Sequence, residues 1–505
     1  MLREQQYRRW LPTILLCLVA LPASAQSFRV QCPPTTNLHP AVLPVGSQDP
    51  AYTAPAATGQ TSTPTGVVNG AIKCQEISGG DGYATTADGN QTYMFSFGPL
   101  SGLGLIASGQ PGTQIASEFN LPYNAPFLDL AATKPDPTYK PSLPLNMNGA
   151  ITDPAEMMNV GVMNGNIPAP LIAINEDDEF FLTLSNVGMI MRPDLFEQHT
   201  VHFHGYPNAS SYYDGVPDAS IAINIGGSFT YYYLAPDAGT YFWHCHITPP
   251  EHLQMGMVGQ LYVRPRQNRV PLNTNLYTAL QTQQLDLRTA CNVTADILCA
   301  TPLPYVNTNF IQGTNGYTKY AYNDGDGSTR YDVELPIQIH GFDPNFHFVG
   351  MTFNPEGFAD MKDKHFLLNG RSYPDTVNPP GQVTAASDGI SRPSQPMSST
   401  LTVKAGQRIL LRISDLDVSE FQTLASLGIP MQVIALNARL LRDQAGNNLY
   451  YNTNSITLGG GESLDVILDT TGVAPGTYFL FTPQLDHLSN DAENFGGLMT
   501  EIVVQ

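Results

Sequence analysis

The stretch Ala235-Pro236-Asp237-Ala238-Gly239-Thr240-Tyr241-Phe242-Trp243 returns later in the chain as Gly472-Val473-Ala474-Pro475-Gly476-Thr477-Tyr478-Phe479-Leu480. The apolar runs upstream of the two copies also correspond, residues 171–174 and 180–184 in the first and 401–403 and 409–413 in the second. Short alternating runs joined by Gly, Pro and Asp turns are typical of β-sandwiches. The repeat therefore predicts two sandwiches of one kind, at residues 151–265 and 331–505.

The composition agrees with an all-β protein. Charged residues make up 13% of the 505 residues, while Gly (44) and Pro (41) are plentiful, and we expect no helix of note. Residues 26–150 are rich in Pro, Gly, Thr and Ser, with a strand-like run at 91–97. We interpret them as an irregular N-terminal extension that wraps the first sandwich, with a separate small domain as the alternative. Residues 266–330 are a predicted linker.

The N-terminus predicts export. Basic residues at Arg3, Arg8 and Arg9 precede an apolar run at 11–21, and Ala23-Ser24-Ala25 is a small-residue cleavage site. The run is too short for a comfortable membrane span, and no other span is predicted. Residues 1–25 are thus a predicted signal peptide of a periplasmic or extracellular protein, exported through an ordinary or a twin-arginine route. A net charge of −20 argues against a nucleic-acid partner.

The six cysteines fit an oxidising compartment. Cys17 lies in the signal peptide, Cys291 and Cys299 could close a small loop, and Cys32 could pair with Cys74. This leaves Cys245 alone between two histidines. An unpaired cysteine in an exported protein indicates a special role.

Two short segments hold six of the eleven histidines. They are His199-Thr200-Val201-His202-Phe203-His204-Gly205 and His244-Cys245-His246 with the nearby His252. Alternate residues of a strand face the same side, so His244 and His246 project together while Cys245 projects to the other face. One strand could therefore hold a metal ion on each of its faces.

The residue types indicate copper on both faces. A blue-copper site needs two imidazoles, a thiolate and a weak thioether, a set that His199, Cys245, His252 and Met257 supply. Met255 is nearly as well placed as Met257. Zinc is the alternative for a Cys/His set. The opposite face gathers four histidines, which suit copper that binds dioxygen. The remaining histidines are interpreted as ordinary surface or core residues: His39, His340, His347, His365 and His487.

These motifs resemble the multicopper oxidase family, whose domains have the cupredoxin fold. The resemblance covers residues 151–265 and, more weakly, the second sandwich, where His365-Phe366-Leu367-Leu368-Asn369-Gly370 is also similar to the family. It implies a type 1 copper that receives electrons from a reductant, and a type 2/type 3 cluster that reduces dioxygen to water. The implied type 1 ligands are His199, Cys245, His252 and Met257. The resemblance assigns His202 to type 2 copper and His204, His244 and His246 to the type 3 pair.

Two acids resemble residues that supply protons in the family. Asp214 lies in Asp214-Gly215-Val216-Pro217, and Glu251 directly precedes His252. Reduction of oxygen to water consumes protons, so both are candidate catalytic residues. The alternative for each is an ordinary turn residue.

This chain departs from the family pattern. His252 follows Cys245 by seven residues, because Pro249-Pro250 lengthens the loop by two. The type 1 set lies in the first sandwich, whereas common laccases have it in the last domain. The family cluster uses eight histidines and this chain shows four. The second sandwich has Phe481-Thr482-Pro483 where His-Cys-His is expected, and residues 429–434 where the other histidine strand is expected.

We therefore expect the other half of the cluster to come from a second chain. A homodimer with two-fold symmetry would bring four histidines from each copy, and a different partner subunit is the alternative. The expected reductant is a phenol or a metal ion such as Mn(II), Fe(II) or Cu(I). Two other functions remain open, a cupredoxin-type electron-transfer or copper-binding protein and an enzyme like copper nitrite reductase.

Overall fold

The computed structural model describes residues 28–39, 71–121, 123, 149–283 and 301–505, apart from gaps at 88, 90, 164–165, 207–209, 236, 353–356, 382, 386–390, 394 and 492–495. The predicted signal peptide and the pair Cys291 and Cys299 lie outside the described residues. Among the described helices, none has the length and apolar character needed to cross a membrane.

The first sandwich consists of two facing sheets. Its strands are β1 (Ile72–Thr85), β2 (Gln91–Pro99), β3 (Gln114–Ile115), β4 (Ile172–Asn175), β5 (Glu179–Gly188), β6 (His202–Phe203), β7 (Ser228–Leu234), β8 (Gly239–His244) and β9 (Val258–Arg264). One sheet has the order β2-β1-β5-β7, with β3 beside β1, and the other has the order β4-β9-β8-β6. Phe97, Phe180, Tyr231 and Trp243 fill the core between these sheets.

The N-terminal segment is part of this sandwich. β1 pairs in parallel with β5, from Ile72 opposite Glu179 to Gly80 opposite Gly188, and β2 pairs with β1. Three strands of the predicted extension, β1, β2 and β3, are therefore part of the sheet of the first sandwich, and the described strands do not form a separate small domain. A disulfide between Cys32 and Cys74 ties residues 28–39 to β1, which confirms one of the two expected pairings.

The second sandwich repeats the first. Its strands are β10 (Val333–Phe342), β11 (His365–Leu368), β12 (Val383–Ala385), β13 (Ser391–Pro393), β14 (Leu401–Val403), β15 (Arg408–Asp415), β16 (Gln422–Ser426), β17 (Met431–Leu436), β18 (Arg439–Leu440), β19 (Tyr451–Thr453), β20 (Ser455–Leu458), β21 (Ser463–Asp469), β22 (Gly476–Phe481) and β23 (Met499–Val504). The sheets are β11-β10-β15-β21-β17-β18, with β19 beside β17, and β14-β23-β22-β16-β20, while β12 and β13 form a separate hairpin. β10 pairs in parallel with β15, as β1 does with β5. The predicted all-β class with two cupredoxin-like sandwiches is confirmed.

Within the described part of the chain, six short helices join the strands, although the sequence predicted none of note. They are α1 (Leu103–Ala107), α2 (Ala116–Phe119), α3 (Pro154–Gly161), α4 (Pro249–Gln254), α5 (Leu276–Gln283) and α6 (Pro344–Thr352). Single 3-10 turns lie at Ser211–Tyr213, Arg266–Arg269, Thr314–Gly316, Phe358–Asp360, Asp375–Val377 and Leu485–Leu488. Helices this short lack a long apolar periodicity and depend on tertiary contacts, so the sequence carries little signal for them.

The outer face of β8 packs against the sheet that contains β15 and β21. Thr240 donates to Asp465 Oδ1 at 2.6 Å, and Ser463 donates to the Thr240 carbonyl at 2.6 Å. Gln260 of β9 donates to Ser414 Oγ at 2.8 Å. Phe242, Val258 and Leu416 form an apolar cluster beside these bonds. The two sandwiches therefore share a buried interface on the face opposite to Cys245.

Candidate metal centre

Strands β6 and β8 bring the two histidine segments together. His202 lies opposite His244 in the antiparallel register, and the His204 amide extends this pairing by donating to Phe242 O at 2.8 Å. The alternation along β8 directs His244 toward the sandwich interface and the completely buried Cys245 into the core of the first sandwich. The predicted separation of two sets on opposite faces is thus present.

The first set, which we term the Cys245 triad, is His199, Cys245 and His252. Their ligand atoms all lie within 4.8 Å of one another, and all three side chains are fully buried. His252 Nδ1 lies 3.3 Å from Cys245 Sγ, and the Thr200 amide donates to the same sulfur at 3.4 Å. Burial lowers the pKa of His252, but Cys245 and Glu197 outweigh it and raise the pKa to about 9.

The triad fits a metal ion. Both ring nitrogens of His199 are buried and have no hydrogen-bond partner among the described residues. Leaving both unpaired is costly, because a neutral imidazole offers one donor and one acceptor. Burial, followed by the charge of His252, lowers the pKa of His199, so its imidazole stays neutral as a ligand must. A thiolate with two imidazoles and a nearby thioether suits copper.

Helix α4 occupies the lengthened loop between Cys245 and Met257. It begins after Thr248, whose φ of 37° turns the chain, and the His252 amide donates to Thr248 O at 3.1 Å. Met257 and Met255 are both fully buried. A Cβ built on Gly350 of α6 would lie 3.7 Å from Met255 Sδ, which places that thioether against α6. This supports the choice of Met257, which stays a prediction.

The second set, the histidine quartet, is His202, His204, His244 and His246. Ligand atoms of the first three lie within 4.8 Å of one another, with 3.0 Å between the Nε2 atoms of His204 and His244. The His246 ring centroid is 5.0 Å from that of His202. Burial, followed by nearby imidazoles, lowers the pKa of His244 and lowers that of His204 to about 4. Neutral imidazoles at this spacing are suited to binding metal.

The quartet is covered on one side and open on the other. Gly461 of the second sandwich lies against His204, since a Cβ built there would be 2.8 Å from His204 Nδ1. The His202 side chain remains 19% exposed, and His246 is also partly exposed. Among the described residues, the second sandwich adds no His, Cys, Asp or Glu ligand atom to this metal-binding group.

The two candidate acids lie at different sites. His202 Nδ1 donates to the Asp214 carbonyl at 2.6 Å and lies 3.6 Å from Asp214 Oδ1, so this acid reaches the quartet. Glu251 belongs to α4, on the side of the Cys245 triad. Burial raises the pKa of Glu251. Among the nearby charges, His252 and Arg192 lower this pKa and Glu197 raises it. The structure therefore brings Asp214 to a residue of the quartet, while the charges that act on Glu251 belong to the surroundings of the triad.

Glu197 is a neighbour of the triad that was not predicted from the sequence. Its Oε2 lies 3.4 Å from His252 Nε2, and its side chain is 25% exposed. The contact with His252, partly opposed by burial, lowers the pKa of Glu197. A carboxylate at this place links the buried His252 to the protein surface. The sequence feature that could have indicated Glu197 was its position two residues before the candidate ligand His199.

The second sandwich retains the framework of the Cys245 triad with other side chains. Ala425 lies opposite Phe481 in β16 and β22, as His202 lies opposite His244. Gln422 therefore corresponds to His199, Thr482 to Cys245, and His487 to His252. His487 Nδ1 lies 2.9 Å from Gln422 Oε1, and its Nε2 lies 2.9 Å from Glu420, which mirrors Glu197.

This register corrects one expectation. Residues 429–434 do not replace the histidine strand, because β17 belongs to the other sheet and pairs with β21. β16 is the equivalent strand, and Ala425 and Leu427 stand where the first sandwich has His202 and His204. Phe481 and Pro483 correspond to His244 and His246. The second sandwich therefore still lacks the four histidines.

The other five histidines are held elsewhere. His39 pairs with Glu179, His487 with Gln422 and Glu420, and His365 stacks on Phe342. His340 and His347 face the carbonyls of Leu253 and Gln254. All eleven histidines of the chain are thus placed, and six of them form the two candidate metal-binding sets.

Comparison with known proteins adds sequence relatives. Two family models, both described as Multicopper oxidase, match residues 147–268 and 353–503. Laccase abr2 of Aspergillus fumigatus is 35% identical over 109 residues, which is 21% of this chain and 17% of the relative. Copper resistance protein A of Pseudomonas syringae pv. tomato is 29% identical over 182 residues, which is 34% of this chain and 24% of the relative.

A solved structure of a blue copper oxidase from Nitrosomonas europaea matches over 85% of both chains, with 18% identity and a TM-score of 0.48. The matched stretches span less than a quarter of the two curated relatives' own length.

Proposed function

Because the chain belongs to the multicopper oxidase family, we propose that it removes single electrons from a reductant and reduces dioxygen to water. The observation that carries this proposal is the presence of two metal-binding sets on opposite faces of β8, with Cys245 directly between His244 and His246. An electron carrier needs the first set alone. The quartet accounts for an additional oxygen-reducing site.

Each residue has a defined part in this proposal. His199, Cys245, His252 and Met257 would hold type 1 copper, and the quartet would hold half of a type 2/type 3 cluster. Bound copper would supply one-electron redox chemistry and the reduction of dioxygen. The buried residues around the triad exclude water from Cys245. Asp214 would hold a proton beside His202, where the reduction of oxygen consumes protons.

We propose that the reductant reaches the protein near Glu197. This carboxylate is partly exposed and contacts His252 Nε2, whereas His252 itself is fully buried. A negative group beside the triad favours cationic reductants, so Mn(II), Fe(II) and Cu(I) are preferred over a neutral phenol. Oxygen uptake with each of these reductants, compared between the wild type and Glu197→Gln, measures the preference.

The main test is copper content with oxygen uptake. The purified protein should show a blue absorption band, bind about four copper ions per active unit and consume oxygen when a reductant is added. Cys245→Ser should lose the band and one copper ion. A single copper ion per chain without oxygen uptake would show a carrier instead, and two per unit with nitrite reduction would show a reductase.

We further propose that a second copy of the chain completes the cluster. The quartet is partly exposed and no other histidine of the chain is free to join it. A two-fold dimer would bring four histidines from each copy, with a self-complementary interface. Molecular mass and copper content, measured on one sample, test the assembly. A copper-loaded monomer with full oxidase activity contradicts it, as does a different subunit found to provide the ligands.

We also propose export to the periplasm or the exterior. The disulfide between Cys32 and Cys74 supports an oxidising compartment, and the N-terminal sequence has the pattern of a cleaved signal. Mass spectrometry of the mature protein should find an N-terminus at Gln26. An intact N-terminus on cytoplasmic protein would contradict export.

A further inference from the structure

We propose that the second sandwich acts as a clamp that positions the type 1 ligand loop of the first. This inference rests on the proposed function, since it assigns a task to the sandwich without copper ligands. The loop in question is α4 with its neighbours, which joins Cys245 to Met257 and includes His252. Its position sets the geometry of three proposed ligands.

The clamp consists of polar groups from β10, from α6 and the residue before it, and from the segment before β11. His340 Nε2 donates to the Leu253 carbonyl at 3.1 Å. The Asp343 amide donates to Gln254 Oε1 at 2.9 Å, and Gln254 Nε2 donates to Asp363 Oδ1 at 3.1 Å. Both polar atoms of the buried Gln254 side chain are thus satisfied by the second sandwich.

His347 adds a contact from α6. Its Nε2 lies 2.9 Å from the Gln254 carbonyl, and its Nδ1 faces the Tyr93 carbonyl. A neutral imidazole has one N–H, so it donates to one of these carbonyls at a time. Burial, partly offset by these backbone contacts, lowers the pKa of His347 to about 4 and keeps the ring neutral. The ring lies between the ligand loop and β2.

A displacement of Gln254 would shift the positions of the proposed ligands directly. Leu253 and Gln254 follow His252 in the same helix, and the Met257 amide donates to His252 O at 2.9 Å. The Cys245 amide then donates to Met257 O at 3.0 Å. His252, Met257 and Cys245 are therefore connected to the clamp through consecutive backbone bonds.

The loop needs such support. α4 has six residues, and helices this short are not stable in water without tertiary contacts. Pro249-Pro250 lengthens the loop, and a longer loop needs more contacts to keep one conformation. The second sandwich has polar groups at this contact, which is what a positioning role requires.

The Asp363 carboxyl group packs against Gly341, where a side chain would collide with it. A Cβ built on Gly341 would lie 2.7 Å from Asp363 Oδ2 and 2.6 Å from Asp417 Oδ2. Ser419 donates to Asp363 as well. The carboxyl group is therefore fixed by its neighbours, and it presents Oδ1 to Gln254.

The test compares two buried glutamines at the same interface. Gln254→Leu removes both side-chain bonds of the clamp. Gln260→Leu is the matched control, because Gln260 also crosses the interface, to Ser414 and Arg412 O, but does not belong to the loop. We measure the reduction potential and the electron paramagnetic resonance spectrum of the copper-loaded protein. We also measure the rate of Cys245 alkylation in the copper-free protein.

Gln254→Leu should shift the potential and the spectrum, and raise the alkylation rate roughly tenfold, because the loop opens more often. Gln260→Leu should leave all three unchanged while it lowers the melting temperature. Equal effects of the two variants, or no effect of Gln254→Leu, would overturn the proposal. If Gln254→Leu does not fold, His340→Leu removes the bond to Leu253 and carries the same expectation. If no type 1 copper binds, the proposed function fails, while the alkylation rates still decide on the clamp.

Discussion

Cys245 and Thr482 occupy the same position in the two sandwiches. The Cys245 amide donates to Met257 O at 3.0 Å, and the Thr482 amide donates to Leu498 O at 2.9 Å. Around them, His487 and Gln422, which correspond to His252 and His199 of the Cys245 triad, form a hydrogen bond with each other. The second sandwich thus has the same framework, with hydrogen-bonding and apolar groups at the positions of the candidate ligands.

We predict that the second sandwich can be made to bind copper by three substitutions. Gln422→His, Thr482→Cys and Leu498→Met together should restore a type 1 set with His487, because thiolate, thioether and two imidazoles select copper. The variant should bind one additional copper ion per chain and show a stronger blue band, measured by metal analysis and absorption. The control omits Thr482→Cys and should not gain the band. An unchanged copper count in the triple variant would show that these positions of the second sandwich are not equivalent to those of the Cys245 triad and Met257.

Asp214→Asn should slow oxygen reduction. Asp214 Oδ1 lies 3.6 Å from His202 Nδ1, and a positioned acid contributes roughly 10²–10⁴-fold to a proton-transfer step. We expect kcat to fall by about that range, with the blue band unchanged. Asp218→Asn, an exposed acid in the same segment, is the control. An unaltered kcat for Asp214→Asn would favour the turn-residue interpretation.

Asp363 should make stability depend on pH. Burial raises its pKa, and the charge of Asp417 and a hydrogen bond to it raise it further. Asp415 is also buried nearby, and its pKa is raised by burial and by Asp417. The folded protein holds a proton that the unfolded chain releases above about pH 4. The free energy of unfolding should therefore fall as pH rises from there through the elevated pKa.

Asp363→Asn tests this pH dependence, since the amide resembles a protonated carboxyl group. Its melting temperature should decline less between pH 5 and pH 9 (about the window between the two pKa values) than that of the wild type, measured by calorimetry. Asp360→Asn changes an exposed acid close by and should behave as the wild type. Parallel curves for all three proteins would refute the assignment.

The disulfide should stabilise the first sandwich. Cys32 and Cys74 are 42 residues apart, and closing a loop of this size contributes about 2–4 kcal/mol to the free energy of unfolding. The double variant Cys32→Ala, Cys74→Ala should lose about this amount in denaturant titrations, because its unfolded chain gains freedom. A reductant should destabilise the wild type and leave the variant unchanged. Equal stability of both proteins would contradict the prediction.

Sequence alone determined the sandwich class, the repeat and the choice of six histidines with Cys245 as candidate metal ligands. These features are local. Alternation along a strand places Cys245 and His244 on opposite faces, and residues a few positions apart stay close together in any fold. The pairing of β1 with β5 was decided only by the tertiary structure, since parallel strands far apart in the chain leave no local pattern. The same holds for Glu197 beside His252 and for Gln254 between the sandwiches. These contacts join segments through packing, which no spacing in the sequence specifies.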